Sequence, residues 1–419
     1  MSQVVVTGLG FISSIGNDRN SVLESLQRLR SGIELYPPFD DPMVPVHVMG
    51  TIKGFDTESI EQEDWTFPSD YRVNRAFLRS LSPHALYGYC ALTQAIAQAG
   101  LDEAGVSNED TGLFTASAGS TSFLVHHVNY LNQNGVERSQ PKAIVASIAG
   151  TLNFNLASHF HIKGATCGYV SACASSGHAL GAAFEEIVSG RQKRMLVVGA
   201  EDGNRECILP FAAMRALSVN PDPAAASRPF DKARDGFVGT GGGVAMVLED
   251  GETARARGAR ILARFTGYGQ ASDGYNAVLP QAQGDGVRRS MLLALKRANR
   301  KPEEVDYVNA HAPSTQMGDI AEVRALNAVF PDASPAISST KGLTGHALSM
   351  ASILEAGICV LSLDAGIIPG SVNIAELEDE AAALDIARET RDQAPAVVMS
   401  NSSGFGGANV TLIFERGEA

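Results

Sequence analysis

Ser176-Gly177-His178-Ala179-Leu180 is echoed by Thr344-Gly345-His346-Ala347-Leu348, and a stretch with apolar residues at three- and four-residue spacing follows each. A second echo lies upstream of the first: Val4-Val5-Val6-Thr7-Gly8-Leu9-Gly10 matches Ala263-Arg264-Phe265-Thr266-Gly267-Tyr268-Gly269. Two echoes in the same order indicate a chain made of two related halves, which we divide into residues 1–255 and 256–419. The chain from Gly10 to Ser176 is far longer than that from Gly269 to Thr344, so the first half carries extra residues. We expect them in the loop-rich stretch 35–70, with Pro37, Pro38, Pro42, Pro45 and Pro68, and in the segment 120–160.

Short apolar runs alternate with helical patterns along the rest of the chain, which implies an α/β architecture with a buried, mixed or parallel sheet. Strands are predicted at 3–8, 112–117, 195–200, 243–248, 261–267, 305–310 and 396–401, and helices at 20–30, 84–99, 174–189, 286–299, 318–329 and 346–363. The tract 249–260, with Gly251, Gly258, Arg255, Arg257 and Arg260, reads as the connection between halves.

Composition narrows the function. The 419 residues are 44% hydrophobic and 19% charged with 42 glycines, which fits a globular chain and excludes global disorder. A formal net charge of −13 excludes a general nucleic-acid or anionic-membrane binder, since both would be repelled. The N-terminus has neither a basic stretch nor an apolar one, and no run of about 18 uninterrupted apolar residues occurs. A cytoplasmic protein is expected. The five cysteines, Cys90, Cys167, Cys173, Cys207 and Cys359, form no CxxC pair and no Cys/His ligand spacing, so neither a disulfide framework nor a metal site is predicted.

Cys173 stands apart from the other four. In Tyr169-Val170-Ser171-Ala172-Cys173-Ala174-Ser175 a short apolar strand meets small residues that tolerate a sharp turn before a helix. A thiol at a helix start faces free N–H groups that favour the thiolate and donate to an oxyanion. The other cysteines lack this setting and read as packing residues. His311 ends Val305-Asp306-Tyr307-Val308-Asn309-Ala310 at the C-terminal edge of a predicted strand, where α/β sheets place ligands. His346 opens the helix that echoes the one after Cys173, so a pseudo-two-fold relation would bring Cys173, His346 and His311 into one pocket. Two imidazoles beside a thiol suit donation to a thioester carbonyl and stabilisation of an enolate. His178, one turn inside its helix, reads as core. Gly8-Leu9-Gly10 and Gly239-Thr240-Gly241-Gly242-Gly243 lack the rest of a dinucleotide or P-loop fingerprint.

With these residues in hand, the chain resembles the β-ketoacyl-acyl-carrier-protein synthases of the type I/II condensing-enzyme branch. The motifs run from end to end: Val-Thr-Gly-Leu-Gly around Thr7, Ser-Ala-Cys-Ala-Ser at 171–175, Arg-Pro-Phe-Asp at 228–231, Arg-Asp-Gly-Phe-Val at 234–238, Asn-Ala-His at 309–311, Ser-Thr-Lys-Gly-Leu-Thr-Gly-His at 339–346 and Gly-Phe-Gly-Gly at 404–407. The resemblance implies a thiolase fold, two βαβ-type halves layered α/β/α/β/α. It implies decarboxylative Claisen condensation of a malonyl-carrier thioester with an acyl chain on Cys173, with His311 and His346 on the malonyl carbonyl. Lys341 and Glu322 are carried over as supports of the histidines, the N–H groups of Cys173 and Phe405 as the oxyanion hole, and Phe211, Phe237 and Phe405 as wall and gate of the acyl pocket. Ser314 and Thr315 are carried over as contacts to the phosphopantetheine arm. The implied partners are an acyl carrier protein and a second copy of the chain, or a related chain in a heterodimer, with no cofactor or metal. A non-catalytic chain-length-factor-like partner is the alternative, ranked lower because nucleophile and histidines are all present. A Cys/His hydrolase or simple acyltransferase ranks lower still, for want of a papain-like context.

Two departures from the family pattern stand out, Ala312-Pro313 after His311 and Ala408 before Asn409. Pro313 removes a hydroxyl and an N–H and holds Ala312 extended, which hints at specialised chemistry in a polyketide or polyene pathway. Because carrier proteins are acidic, a basic docking patch is expected on this acidic chain, at Arg72, Arg75 and Arg79 with Arg138 and Lys142 as neighbours.

Overall fold

The computed structural model describes residues 3–332 and 334–417. Eleven strands form one mixed sheet: β1 (Val4–Ile12), β2 (Thr111–Ala116), β3 (Thr166–Tyr169), β4 (Arg194–Glu201), β5 (Gly242–Asp250), β6 (Ala263–Ser272), β7 (Tyr307–Asn309), β8 (Ala336–Ser338), β9 (Asp385–Ile386), β10 (Val397–Gly404) and β11 (Ala408–Arg416). They are ordered β9-β8-β7-β10-β11-β6-β1-β5-β4-β2-β3. The run β3-β2-β4-β5-β1 and the run β8-β7-β10-β11-β6 have the same pattern of directions: the first three strands are parallel, and the fourth and fifth each reverse. β1 and β6, which carry the first echo, meet antiparallel at the seam through Val4 opposite Phe265.

The longest helices among the described residues are α1 (Pro83–Ala99), α2 (Thr121–Asn134), α3 (Ser175–Val188), α4 (Asp285–Ala298), α5 (Gln316–Val329) and α6 (Ala351–Ala365). α1 covers the outer face of β1, β5 and β4, while α4, with α5 against it, covers β6 and β11. α3 and α6 lie between the two sheet regions and touch each other, giving the α/β/α/β/α layering that the resemblance implies. Burial explains why the central pair is so apolar. α3 presents Ala179, Leu180, Ala183, Phe184 and Ile187 at helical spacing, and α6 is buried from Ala351 to Leu363. The segment Leu348–Ala365 is apolar enough to cross a membrane, but 89% of it is buried inside the protein.

The extra chain of the first half lies between β1 and α1 and between β2 and β3. The former builds a cap with a small two-stranded sheet, Ile33–Leu35 against Val48–Gly50. Its Tyr36, Phe39, Val44, Val46 and Met49 pack with Ile208, Leu217, Phe237 and Leu348, so the cap backs the wall of the central cavity. The latter holds α2 and ends in β3, an edge strand with exposed residues.

All seven predicted strands and all six predicted helices exist, the first of those helices as Arg19–Arg28 between β1 and the cap. The helix expected to start at His346 starts at Ala351, behind a 3₁₀ turn at Leu348–Met350, so His346 sits on the approach to it. The tract 249–260 contains a short helix, Gly251–Ala256, capped by the Asp250 side chain. Of the cysteines expected to pack, Cys90 and Cys359 are buried and Cys207 half-buried, whereas Cys167 is exposed on the edge strand β3.

Candidate active site

Cys173 lies past the C-terminal end of β3, at a turn whose geometry the small residues permit. Ala172 has φ 51°, a left-handed conformation that strains a residue with a Cβ. Ser175 stabilises it, accepting from the Ser171 N–H at 2.8 Å and donating to the Ala172 carbonyl at 2.6 Å. α3 then begins two residues after the thiol.

His346 reaches the same point from the other half. Its N–H donates to Val238 O at 2.7 Å and its carbonyl accepts from Thr240 N at 3.1 Å, pinning the turn to the Phe237–Thr240 strip. Its Nε2 lies 3.0 Å from Cys173 Sγ. His311, just beyond the end of β7, places its ring 5.2 Å from that of His346, edge to face, and Phe237 packs edge-on to His346 at 5.1 Å. A sulfur and one nitrogen from each imidazole lie within 4.8 Å of one another. The convergence predicted from the two echoes is present in atomic detail.

Lys341 and Glu322 read as surface charges from spacing alone; both are buried, at 1% and 2% exposure. Glu322 takes the His311 N–H at 3.0 Å on one carboxylate oxygen and the Ala312 N–H at 2.7 Å on the other, with Asn401 donating at 3.1 Å. Lys341 donates to the His311 carbonyl at 2.5 Å and pairs with Glu355 in α6. Burial pushes Glu355 up and the ammonium beside it pulls it back. Burial, and next the Lys341 charge, hold both histidines well below the ordinary imidazole range, so they are neutral near pH 7. The thiol departs from the expected ready thiolate. Burial pushes Cys173 up to about 12, with Lys341 pulling back and Glu201 and Glu355 adding to the rise. Its proton must therefore leave through a partner, and His346 is in contact with it.

Cys173 and His311 open onto a cavity of about 420 Å³, lined among others by Phe211, Phe237, Phe405, Met214 and Met317. Phe211 stands 5.6 Å from Phe237 and 6.1 Å from Phe405, a trio of rings beside the thiol. Phe405 begins the turn between β10 and β11. A Cβ on the preceding Gly404 would come within 2.8 Å of Ser171 O and 3.0 Å of Cys173 N, so only glycine lets this turn pass so close to the Cys173 backbone. Asp273 clamps the turn from outside, its N–H donating to Gly407 O at 2.8 Å and one oxygen accepting from Asn409 at 2.8 Å.

Ser314 and Thr315 separate. Thr315 lines the cavity and caps α5 through Gly318 N at 3.2 Å. Ser314, with φ 73°, is fully buried, and its hydroxyl accepts from Arg228 N at 3.0 Å. Pro313 lines the cavity in an apolar stretch with Met317. The docking candidates are all exposed, and Arg72 precedes the single helical turn Arg75–Leu78. Arg75 and Arg79 share Glu63, at 2.7 and 2.6 Å, and Lys142 donates to Ala76 O at 3.2 Å, which joins the two segments. Arg138 lies on the neighbouring turn Val136–Arg138.

Several supports escaped the sequence reading. Arg234 donates to the carbonyls of Thr315 at 3.0 Å and Gln316 at 2.9 Å and holds the loop after His311. Glu201, buried at the end of β4, accepts from Ser349 N at 3.2 Å and from its hydroxyl, bracing the turn after His346. Glu355 did leave a signal, as the sole acid in the apolar stretch Ala351–Leu363.

Comparison with known proteins agrees with this geometry. The model of the β-ketoacyl synthase N-terminal domain matches residues 1–254 and that of the C-terminal domain residues 262–375. The 3-oxoacyl-[acyl-carrier-protein] synthase 1 of Haemophilus influenzae is 42% identical over 421 residues, covering 99% of each chain. A crystal structure of a β-ketoacyl synthase from Burkholderia phymatum superposes with a TM-score of 0.91 at 31% identity, covering 100% of both chains. One chain of the complex between a type II polyketide acyl-carrier protein and its ketosynthase superposes with a TM-score of 0.87 at 25% identity, again over 100% of both chains. By sequence, fold and the assembly of its thiol and two imidazoles, this chain belongs to the β-ketoacyl synthase family.

Proposed function

We propose that Cys173 carries the growing acyl chain in a decarboxylative condensation that extends a fatty acid by two carbons. The observation that carries this is the 3.0 Å contact between Cys173 Sγ and His346 Nε2, with His311 beside it. In the first step the sulfur attacks the acyl-carrier thioester, its proton passes by way of His346 to the departing carrier thiolate, and the acyl chain enters the cavity between Phe211 and Phe237. In the second, a malonyl-carrier thioester binds with its carbonyl oxygen between the two histidines. Loss of carbon dioxide leaves an enolate that neutral imidazole N–H groups stabilise. The enolate carbon attacks the acyl carbonyl, the N–H groups of Cys173 and Phe405 take the oxyanion, and collapse frees the ketoacyl chain and expels the Cys173 thiolate, which takes up a proton from solvent by way of His346 to return the thiol. Lys341 and Glu322 act through the backbone of His311. Thr315, and not Ser314, has a hydroxyl at the channel wall for the pantetheine arm.

The acyl carrier protein is the partner, and Arg72, Arg75, Arg79, Arg138 and Lys142 form its docking face. A homodimer through β3 fits the exposed apolar residues beside that edge, Phe154 in the helix Thr151–His159 that packs on β3 and Val170 just past its end. The seam of the duplicated unit falls near residues 255 and 256. A cytoplasmic location goes with a carrier-linked substrate.

The test is release of labelled carbon dioxide from malonyl-carrier protein. The wild type releases it with acyl-carrier protein present and forms a ketoacyl product, and His311→Ala and His346→Ala lose the release while remaining folded. Release undiminished in both variants would overturn the assignment.

A further inference from the structure

Outside any condensation step, Cys173, His311 and His346 also form a set of soft and borderline ligands drawn from three distant points of the sequence. A tetrahedral zinc site holds sulfur at about 2.3 Å and imidazole nitrogen at about 2.0–2.1 Å, which sets neighbouring donors about 3.5 Å apart. Here sulfur and one nitrogen stand 3.0 Å apart and all three donors lie within 4.8 Å, so small side-chain rotations reach that geometry. The backbone on each side is fixed: Ser175 holds the Cys173 turn, Glu322 and Lys341 hold His311, and Val238 and Thr240 hold His346. Three protein ligands with the fourth position facing a cavity is the plan of an open zinc site. Buried carboxylates of Glu322 and Glu355 stand close by and offset the Lys341 charge that a dication would meet.

We propose that this trio is a capture site for a thiophilic divalent transition metal such as Zn²⁺, and that capture silences the enzyme. The balance is simple. The metal replaces the proton shared between Cys173 and His346, so one Cys–S–M bond and two M–N bonds form, the S–H bond breaks, and one proton is released to solvent. An acylated Cys173 has no thiolate to offer, so acylation and metal capture exclude each other. Inhibition rests on Cys173 being the acyl acceptor; binding itself does not.

Cobalt(II) is the probe, because a thiolate ligand gives a near-ultraviolet charge-transfer band and tetrahedral coordination gives visible bands. Titration of the full chain should produce both bands at one cobalt per chain, and Zn²⁺ should erase them. Cys173→Ser should lose the charge-transfer band and His346→Ala should weaken binding at least about tenfold, whereas Cys167→Ser should keep the spectrum. Should the variants misfold, alkylation of Cys173 in the folded wild type, mapped by peptide mass, must abolish the band. Absence of a band in the wild type, or its survival after alkylation or in Cys173→Ser, overturns the proposal. Bands present with no inhibition by Zn²⁺ would leave the site standing and count against Cys173 as acyl acceptor.

Discussion

Ser352, in the first turn of α6, donates its hydroxyl to the carbonyl oxygen of Cys173 across 3.1 Å. One bond thus ties the start of the second half's central helix to Cys173 in the first, and Ile353 N adds another to Ser176 Oγ at 3.1 Å. Ser352→Ala should destabilise the fold by only about 1 kcal/mol. It should lower kcat more clearly, since about 1.4 kcal/mol of misplacement in the transition state is a tenfold loss. Denaturant melts and steady-state kinetics check both; an unchanged kcat would mean that the tie does not position the thiol.

Lys341 predicts a pH effect. Its charge is the second cause, after burial, that holds both histidines neutral. Decarboxylation by the wild type should therefore stay flat from pH 7.5 down to pH 6. In Lys341→Met the histidine pKa values rise, so an acid limb should move upward into that range. The same substitution leaves Glu355 without its ammonium and should cost about 3–5 kcal/mol of stability, read by thermal unfolding.

Glu201 predicts a stability effect of opposite sign to a surface acid. Burial pushes it to about 8, against the ordinary 4.5. Across that interval the unfolded chain has released the proton and the folded chain retains it, so the folded state binds more protons and stability falls as pH rises. Glu201→Gln keeps an oxygen for Ser349 and does not titrate. Its Tm should therefore drop less between pH 5 and pH 8 than that of the wild type; equal drops would show that Glu201 is not the group involved.

The docking face can be tested by charge reversal. Arg75→Glu with Arg79→Glu should raise KM for carrier-linked substrate and leave KM for a small acyl thioester unchanged. Equal effects on both substrates would reject the face.

The duplicated architecture was legible because the echoes at 176–180, within the first turns of α3, and at 344–348, on the approach to α6, fall at the N-terminal ends of the two central helices. Cys173 was legible from the small residues that permit its strained turn. Charge placement was not: nothing local distinguishes Lys341 or Glu322 from surface residues, because the groups they meet, His311, Ala312, Glu355 and Asn401, are brought to them only by the folded chain. Glu201, Arg234 and Ser352 were missed for the same reason, each acting on backbone from another part of the chain. β11 was not legible although it is a nine-residue strand, because its apolar run follows directly on the glycine turn at 404–407. The thiolate expected of a helix start lost to burial, a quantity that sequence does not give.

The most direct test of Cys173 as the acyl acceptor is peptide mass mapping after incubation with acyl-carrier protein alone. A single acyl group on the peptide containing Cys173, absent in Cys173→Ser and discharged as ketoacyl product when malonyl-carrier protein is added, is the predicted result. An acyl group on another residue, or no adduct on a protein that still forms product, would contradict it.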